Sequence, residues 1–594
     1  MAETRYGGMR RMDSGPPARV EPSPTTSVTP NVATIRLGVT GHDPENRHGF
    51  LLATLESLYP VEFRRIAPLD YQGLNGLVIL DGDVTQGEAA AAGGWPTLVV
   101  GAREGAPVPK SSAPGRSGEV RLGAAEVLDE ALRHQVMRQA EADQFAPLTV
   151  RPGDEIVATV EGQPVWLARR VGGETCQIAG ALPPVVREHA FLFPHLNDDH
   201  FLGLLPLLNF VRQRVKATDW QPVSVPACIV IDDPSPYRPS YGHFNFRRLA
   251  ELATRHNFFV SVGMIPLDTW YVHPGVAETF RAFNPRLSAV IHGNNHTSHE
   301  LQVPRDESAG RRLAAQAMRR MARLPERHGM ELMKIMEAPH GVIAETMFPH
   351  LLALGYEAAL GTTEQLIRGN PGAGWPAGLG LERTLLPGGL PVIPRIRMSA
   401  DWRNNLVLAA FLRQPMVIAL HHWDLADGDD FLIEVAGLIN RLTFTTWTSP
   451  LGMARSNYTV RRCDDEWHVK AYSRKFSVAI PPGIKSLRLH RPWLEPGNRE
   501  ELVIRQGPRE IFRGAMAAIP DPIPVESPGE LEIGCVPANL VDPQSVPAPR
   551  FSGWPVLRKV LMEVRDRSAP WRRRVKKRWR PPARPGNGEI LSHA

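Results

Sequence analysis

A chain of 594 residues is too long for one hydrophobic core, and at roughly 100–200 residues per domain it implies three or four domains. Hydrophobic content of 43% and charged content of 22% are ordinary for soluble globular proteins and speak against both wholesale disorder and a membrane-spanning architecture. The formal charge of +6 conceals an asymmetry: between Arg558 and Arg584 twelve Lys/Arg meet only Glu563 and Asp566, so this tail is +10 and the remaining body −4.

Residues 1–33 are Pro/Ser/Thr-rich without periodicity and are expected to be a disordered leader. They hold no apolar stretch of the length a secretory signal needs, so export by the usual route is not expected. The four cysteines, Cys176, Cys228, Cys463 and Cys535, are far apart and form no C-x-x-C pair, which suits a reducing, cytoplasmic compartment. From residue 34 to 149 strand-like runs (Ile35–Val39, Val61–Ile66, Gly76–Leu80, Thr97–Val100) alternate with a helix over Gly49–Tyr59, which predicts a doubly wound α/β domain. Gly38, Gly41, Asp81, Gly82 and Gly101 fall near the carboxyl ends of those strands, where such folds bind ligands. The domain resembles flavodoxin-like or class I amidotransferase-like domains. It has no cysteine before Cys176 to act as a glutaminase nucleophile and no G-x-G-x-x-G, so a non-catalytic docking or regulatory role is expected.

Residues 150–222 are read as a small β extension with a connecting helix. A hairpin turns at Glu161-Gly162-Gln163, and a long apolar helix over His200–Val215 leads to Pro222. The most apolar run, Phe201–Val211, is about half a membrane span and contains Pro206, so it predicts a buried helix and no transmembrane segment.

A central domain, 223–446, opens with the apolar run Val223–Ile231 and delivers Asp232-Asp233 to its end. Adjacent residues at a strand end point different ways, so one carboxylate can bind a cation while the other faces a substrate. A helix (Phe246–His256) and a strand (Phe258–Met264) follow, and then Ala289–Ile291 runs into His292-Gly293-Asn294-Asn295-His296-Thr297-Ser298-His299. Three histidines in eight residues are poor core fillers. Imidazoles four apart share one side of a helical turn and can meet one ion, and the pair His296/His299, three apart, is an alternative. With Asp233 they make a two-His-one-carboxylate set with open positions for a water and a carbonyl oxygen. Zinc is the default divalent metal; the same set admits cobalt, nickel, manganese or iron.

Four segments in order, Val230-Ile231-Asp232-Asp233-Pro234, His292-Gly293-Asn294-Asn295-His296, Glu337-Ala338-Pro339-His340-Gly341 and Leu420-His421-His422, resemble the motifs of NodB-homology polysaccharide deacetylases, in a divergent form. The resemblance implies a distorted (β/α) barrel with Asp233, His292 and His296 as metal ligands, Asp232 as general base and His422 as the acid that protonates the leaving amine. Pro339 and Gly341 would line one side of the groove. Two departures stand out: Gly293 replaces a Ser/Thr that steadies the metal loop, and Glu337 stands where the family has arginine. Arg395 or Arg397 is the candidate replacement cation, because the family pairs its arginine with an acidic residue in a context like Asp401-Trp402. Alternation continues through strands near Met333–Met336, Glu357–Leu360, Pro391–Ile396 and Met416–Leu420, with helices over Arg311–Leu324, Glu345–Leu354, Leu406–Leu412 and Phe431–Leu442.

Residues 447–536 hold short alternating runs (Trp467–Tyr472, Phe476–Ile480, Leu502–Gln506) that predict an antiparallel β-sandwich-like accessory domain. Residues 537–594 are read as a Pro-rich linker and a disordered basic tail interleaved with Trp571 and Trp579.

Together these readings predict a metal-dependent hydrolase that removes N-acetyl groups from an amino sugar in a polysaccharide or glycan precursor. Alternatives are a catalytically inactive metal-binding scaffold in polysaccharide assembly, or an amidohydrolase on a non-carbohydrate amide. The expected partner is a carbohydrate or lipid-linked glycan, with the tail on an anionic membrane surface at the inner face rather than on nucleic acid.

Overall fold

The computed structural model describes residues 34–41, 44–66, 71–80, 82–102, 117–188, 190–297, 299–302, 307–399, 401–491, 500–537 and 539–578. The expected leader, Asp81 and Trp579 lie outside the described residues.

The first strands assemble in the order Val61–Arg65, Ile35–Thr40, Gly76–Ile79, Thr97–Val100, all parallel, and Glu174–Ala179 joins them in the same direction. The four-residue runs Gly76–Ile79 and Thr97–Val100 are buried on both faces, as parallel strands covered by helices require. The expected hairpin is present as Glu155–Val160 and Gln163–Val171, turned by Glu161 (φ 48°) and Gly162 (φ 79°), a left-handed pair suited to the twist of a two-residue loop. It extends the same nine-stranded sheet. The apolar run around Pro206 is a buried helix, Leu205–Val215, with the proline in its first turn.

Seven parallel strands then close into a barrel: β1 (Val225–Asp232), β2 (Val260–Met264), β3 (Leu287–His292), β4 (Leu332–Glu337), β5 (Ala358–Gly361), β6 (Val392–Arg397) and β7 (Met416–His421). Closure is made by β1, which pairs with β7 along Ala227–Asp232 and with β2 along Ile229–Asp232. The start of β1, Val225–Ala227, is paired instead with the short strand Thr445–Trp447. One edge thus serves two partners in turn, which is the distortion of this barrel.

Alternation sorts every barrel residue. Cys228, Val230, Val290, Met333, Ile335, Leu360, Ile393 and Val417 form the interior cluster, closed at the bottom by Met453 and Ala454. Their neighbours Ile229, Ile231, Ile291, Met336, Val392, Ile418 and Leu420 belong to the larger core shared with the surrounding helices and the first sheet. The same parity carried to the strand ends places Asp232, His292, Glu337, Arg395 and His421 on the inward side at the carboxyl-terminal mouth.

Beyond the barrel, two four-stranded sheets share one apolar core that includes Val469, Val478, Leu502 and Ile533. The sandwich is not wholly antiparallel. Glu466–Ala471 runs parallel to Ser486–His490, because the chain between them crosses to the other sheet as Lys475–Ile480 before returning. The basic segment also differs from expectation: residues 554–578 form two helices, α1 (Trp554–Arg567) and α2 (Ala569–Arg578). The reason is tertiary, since the charged side of α1 finds partners at the barrel mouth: Lys559 Nζ lies 2.6 Å from Asp268, and the Tyr241 hydroxyl donates to Asp566 at 2.7 Å.

Candidate metal centre

Asp233, the first residue after β1, adopts a left-handed backbone (φ 77°) that swings its carboxylate over the mouth. Its Oδ1 lies 3.0 Å from His296 Nε2 and 3.4 Å from His292 Nε2. The three ligand atoms lie within 4.8 Å of one another. Asp233 Oδ1 and His292 Nε2 are buried without a hydrogen-bond partner, so the set converges on a point that a divalent cation fits.

The two imidazoles meet by a route other than a helical turn. His292 ends β3, and the chain then turns through Gly293 (φ 62°) and His296 (φ 53°) with no helix between them. Glu300 fixes this loop: its Oε1 accepts from the backbone N–H of Asn294 (2.7 Å), Asn295 (3.2 Å) and His296 (3.0 Å). Its Oε2 accepts from the Thr297 hydroxyl at 3.2 Å. Arg320 braces the same loop through the side-chain oxygens of Asn294 and Asn295. A Cβ at position 293 would strike Glu300 and Pro339, so glycine there makes room for the carboxylate that steadies the turn. Sequence reading missed Glu300; an acidic residue four after His296 was its only signal.

His299 does not join the ligands. It is exposed, its Nδ1 bonds Gln302, and its nearest ring is His340 at 6.2 Å. Pro339 is buried against the metal loop, and Gly341 (φ 74°) shapes the adjoining turn, where His340 brings its ring 5.3 Å from His296. Asp233, His296, His299 and His340 are four of the ten non-glycine residues with positive φ among the described residues, and such strain clusters where function over-determines the backbone.

Beneath the ligands lies a buried charge network. Arg395 Nη2 donates to both oxygens of Asp232 (2.8 and 2.7 Å) and lies 3.0 Å from Glu337 Oε1. Glu337 Oε2 in turn sits 3.3 Å from His292 Nδ1, the carboxylate–imidazole contact that fixes a ligating histidine's orientation. Of the two candidate cations, Arg395 is the one that reaches the carboxylates, while Arg397 is exposed at the rim. Asp232, His292 and Glu337 also cluster, and there the Arg395 guanidinium already supplies the positive charge between the two carboxylates. Gly263 on β2 is needed here, because a Cβ would collide with the Glu337 carboxylate. Burial pushes the Asp232 carboxyl well up, against the pull of Arg395. Burial opposes ionisation of Asp233 too, but His296 and His292 hold it well below the usual carboxylate range. Burial takes His296 down to about 3, so its imidazole is neutral.

The two adjacent histidines part company. His421 Nε2 lies 3.9 Å from Asp232 and 4.0 Å from Asp233, with its side chain half exposed. His422, expected at this position, faces the other way: it is buried edge-on to Tyr241 (5.2 Å), beside Trp423, with Nε2 3.8 Å from Asp566. Parity decides this, since 417, 419 and 421 point inward on β7. Asp401 and Trp402 are not in the cluster either. They begin a helix beside Arg138, where Trp402 packs on Phe431 at 5.5 Å, and Arg395 directs its bonds to Asp232 and Glu337 instead. Trp270 and Tyr271 are exposed near this face, and the Trp270 ring lies 5.6 Å from Tyr237.

No protein-family model matches the chain, and no curated protein matches it. Among solved structures it is similar to Agd3, a carbohydrate deacetylase (10% identity, TM-score 0.46), over 85% of this chain and 99% of that one. A putative polysaccharide deacetylase from Mycobacterium smegmatis (14%, TM-score 0.27) matches 39% of this chain and 89% of its own. The carbohydrate esterase family 4 domain of a xylanase from the Trinervitermes trinervoides hindgut metagenome (12%, TM-score 0.25) matches 39% and 92%. None of these is described as flavodoxin-like or amidotransferase-like, and that resemblance of residues 34–149 finds no support in them.

Proposed function

We propose that the protein is a metal-dependent hydrolase that removes an N-acetyl group from an amino sugar of a polysaccharide or glycan precursor. The observation that carries this is one mouth holding a two-His-one-carboxylate trio, a separate clamped carboxylate and a half-exposed imidazole. Asp233, His292 and His296 would hold the divalent cation, zinc by default. A cation held there lowers the pKa of a water and polarises a carbonyl oxygen.

The chain's own residues supply the proton traffic. Asp232, fixed by Arg395, takes the proton from the water that adds to the acyl carbon; His421, opposite it, gives one to the nitrogen as the C–N bond breaks. Acetate and a free amine leave. Glu337 orients His292, and the exposed Trp270 and Tyr271 offer faces on which a sugar ring stacks. His421 takes the acid role in preference to His422 because it faces both carboxylates.

The test is acetate release from a panel of N-acetylated sugars together with metal content. Wild type should carry close to one divalent ion per chain and release acetate. Asp232→Asn should keep the metal and lose about 10²–10⁴-fold in rate, whereas Asp233→Asn and His292→Ala should lose the metal too. Full metal content with no acetate released from any sugar would favour the scaffold reading; metal retained by the His292→Ala, His296→Ala double variant would refute the ligand set.

A further inference from the structure

Helix α1 is amphipathic in the reverse of the usual sense. Its charged residues other than the exposed Arg565 turn inward: Lys559 to Asp268 (2.6 Å), Asp566 to the Tyr241 hydroxyl (2.7 Å), Arg567 to the Ser235 hydroxyl (3.3 Å) and Arg558 to the carbonyl oxygen of His296. Its apolar residues turn outward. Trp554, Leu557, Val560, Leu561 and Val564, continued by Trp571 on α2, are between 54% and 66% exposed. They recur at helical spacing, so they make one stripe rather than scattered surface residues. The inward contacts leave the helix no way to roll this stripe into the core without stranding buried charges.

Charge says what covers the stripe. After Asp566, nine Lys/Arg follow before the next acid, Glu589, and six of them lie in Arg572–Arg578. An apolar stripe continued by an unbroken cationic run, with tryptophan at each end, is complementary to the interface of an anionic bilayer. No helix among the described residues is long and apolar enough to cross a membrane, so α1 would lie on the surface. We propose that the outward face of α1, with the cationic run that follows it, docks the protein onto an anionic lipid bilayer. Because Lys559 and Asp566 on the opposite side of α1 contact Asp268 and Tyr241 at the barrel mouth, and Arg558 on its flank reaches the carbonyl oxygen of His296, docking puts the barrel mouth about one helix diameter, ~10 Å, from the lipid.

The test uses the full chain and flotation with phosphatidylcholine vesicles, with and without phosphatidylglycerol. The protein should float with the anionic vesicles and at least about tenfold less with the neutral ones. Leu557→Glu, Leu561→Glu should abolish flotation while leaving circular dichroism and metal content unchanged. A second variant, Arg572→Gln, Lys576→Gln, Lys577→Gln, leaves the stripe intact and should weaken binding and its salt dependence. The proposal falls if wild type does not float with anionic vesicles, or if the Leu→Glu variant floats as wild type does. It falls equally if the wild type is a dimer that floats with neither vesicle and that the Leu→Glu variant dissolves, since the stripe would then bind a second copy.

Discussion

At residue scale the pair His421-His422 is the sharpest test of the site. Successive residues at the end of β7 face opposite sides, and only His421 faces Asp232 and Asp233, at 3.9 and 4.0 Å. If it delivers the proton, His421→Ala should cost about 10²–10⁴-fold in kcat with metal content unchanged. His422→Ala should act on stability, because it empties a buried niche against Tyr241 and Asp566. Kinetics and thermal melts on the two variants separate the roles; a large kcat loss confined to His422→Ala would return the acid to that residue. The family-like spacing Leu-x-His points to the second histidine, whereas the inward parity of Val417 points to the first, and that parity was available in the sequence.

At the scale of the element, the loop after β3 carries two of the three ligands and owes its shape to a single side chain. Glu300 satisfies three backbone N–H groups and one hydroxyl, which no helix or ladder supplies in this stretch. Glu300→Ala should therefore lower metal affinity by about 10–100-fold, the range seen when a ligand's outer support is lost. Glu300→Gln, which keeps an acceptor oxygen, should recover part of it. Competition with a chromogenic chelator measures both; wild-type affinity in Glu300→Ala would show that Arg320 and Pro339 suffice to hold the turn.

For the whole molecule, the outward faces of the barrel strands and the first sheet share one continuous apolar cluster, so the metal centre sits on a large cooperative body. A cation present at about 1,000 times its Kd stabilises the folded state by ~4 kcal/mol, worth roughly 8–16 °C in a domain of this size. Chelation should lower the barrel's melting transition by that order, and zinc should restore it. His292→Ala should melt at the same temperature with and without chelator. An unchanged transition on stripping metal-loaded wild type would show that the centre does not couple to folding.

The sequence by itself determined which residues could meet a cation and roughly where the strands lie. Apolar runs of strand length ending in Asp232-Asp233, His292 and Glu337 place chemistry at strand ends, because a buried strand has nowhere else to put a charge. It could not say which of Arg395 and Arg397 reaches the carboxylates, that Asp401 and Trp402 stand aside, or that Glu300 supports the loop. Those outcomes depend on strand parity and on contacts between residues distant in sequence, fixed only when the barrel closes. The tail shows the same division. Its charge and tryptophans were legible as composition, but that it folds as helices with its charges inward was decided by Asp268, Tyr241 and the carbonyl of His296, partners between about 260 and 330 residues away that supply the ion pairs the helix lacks on its own.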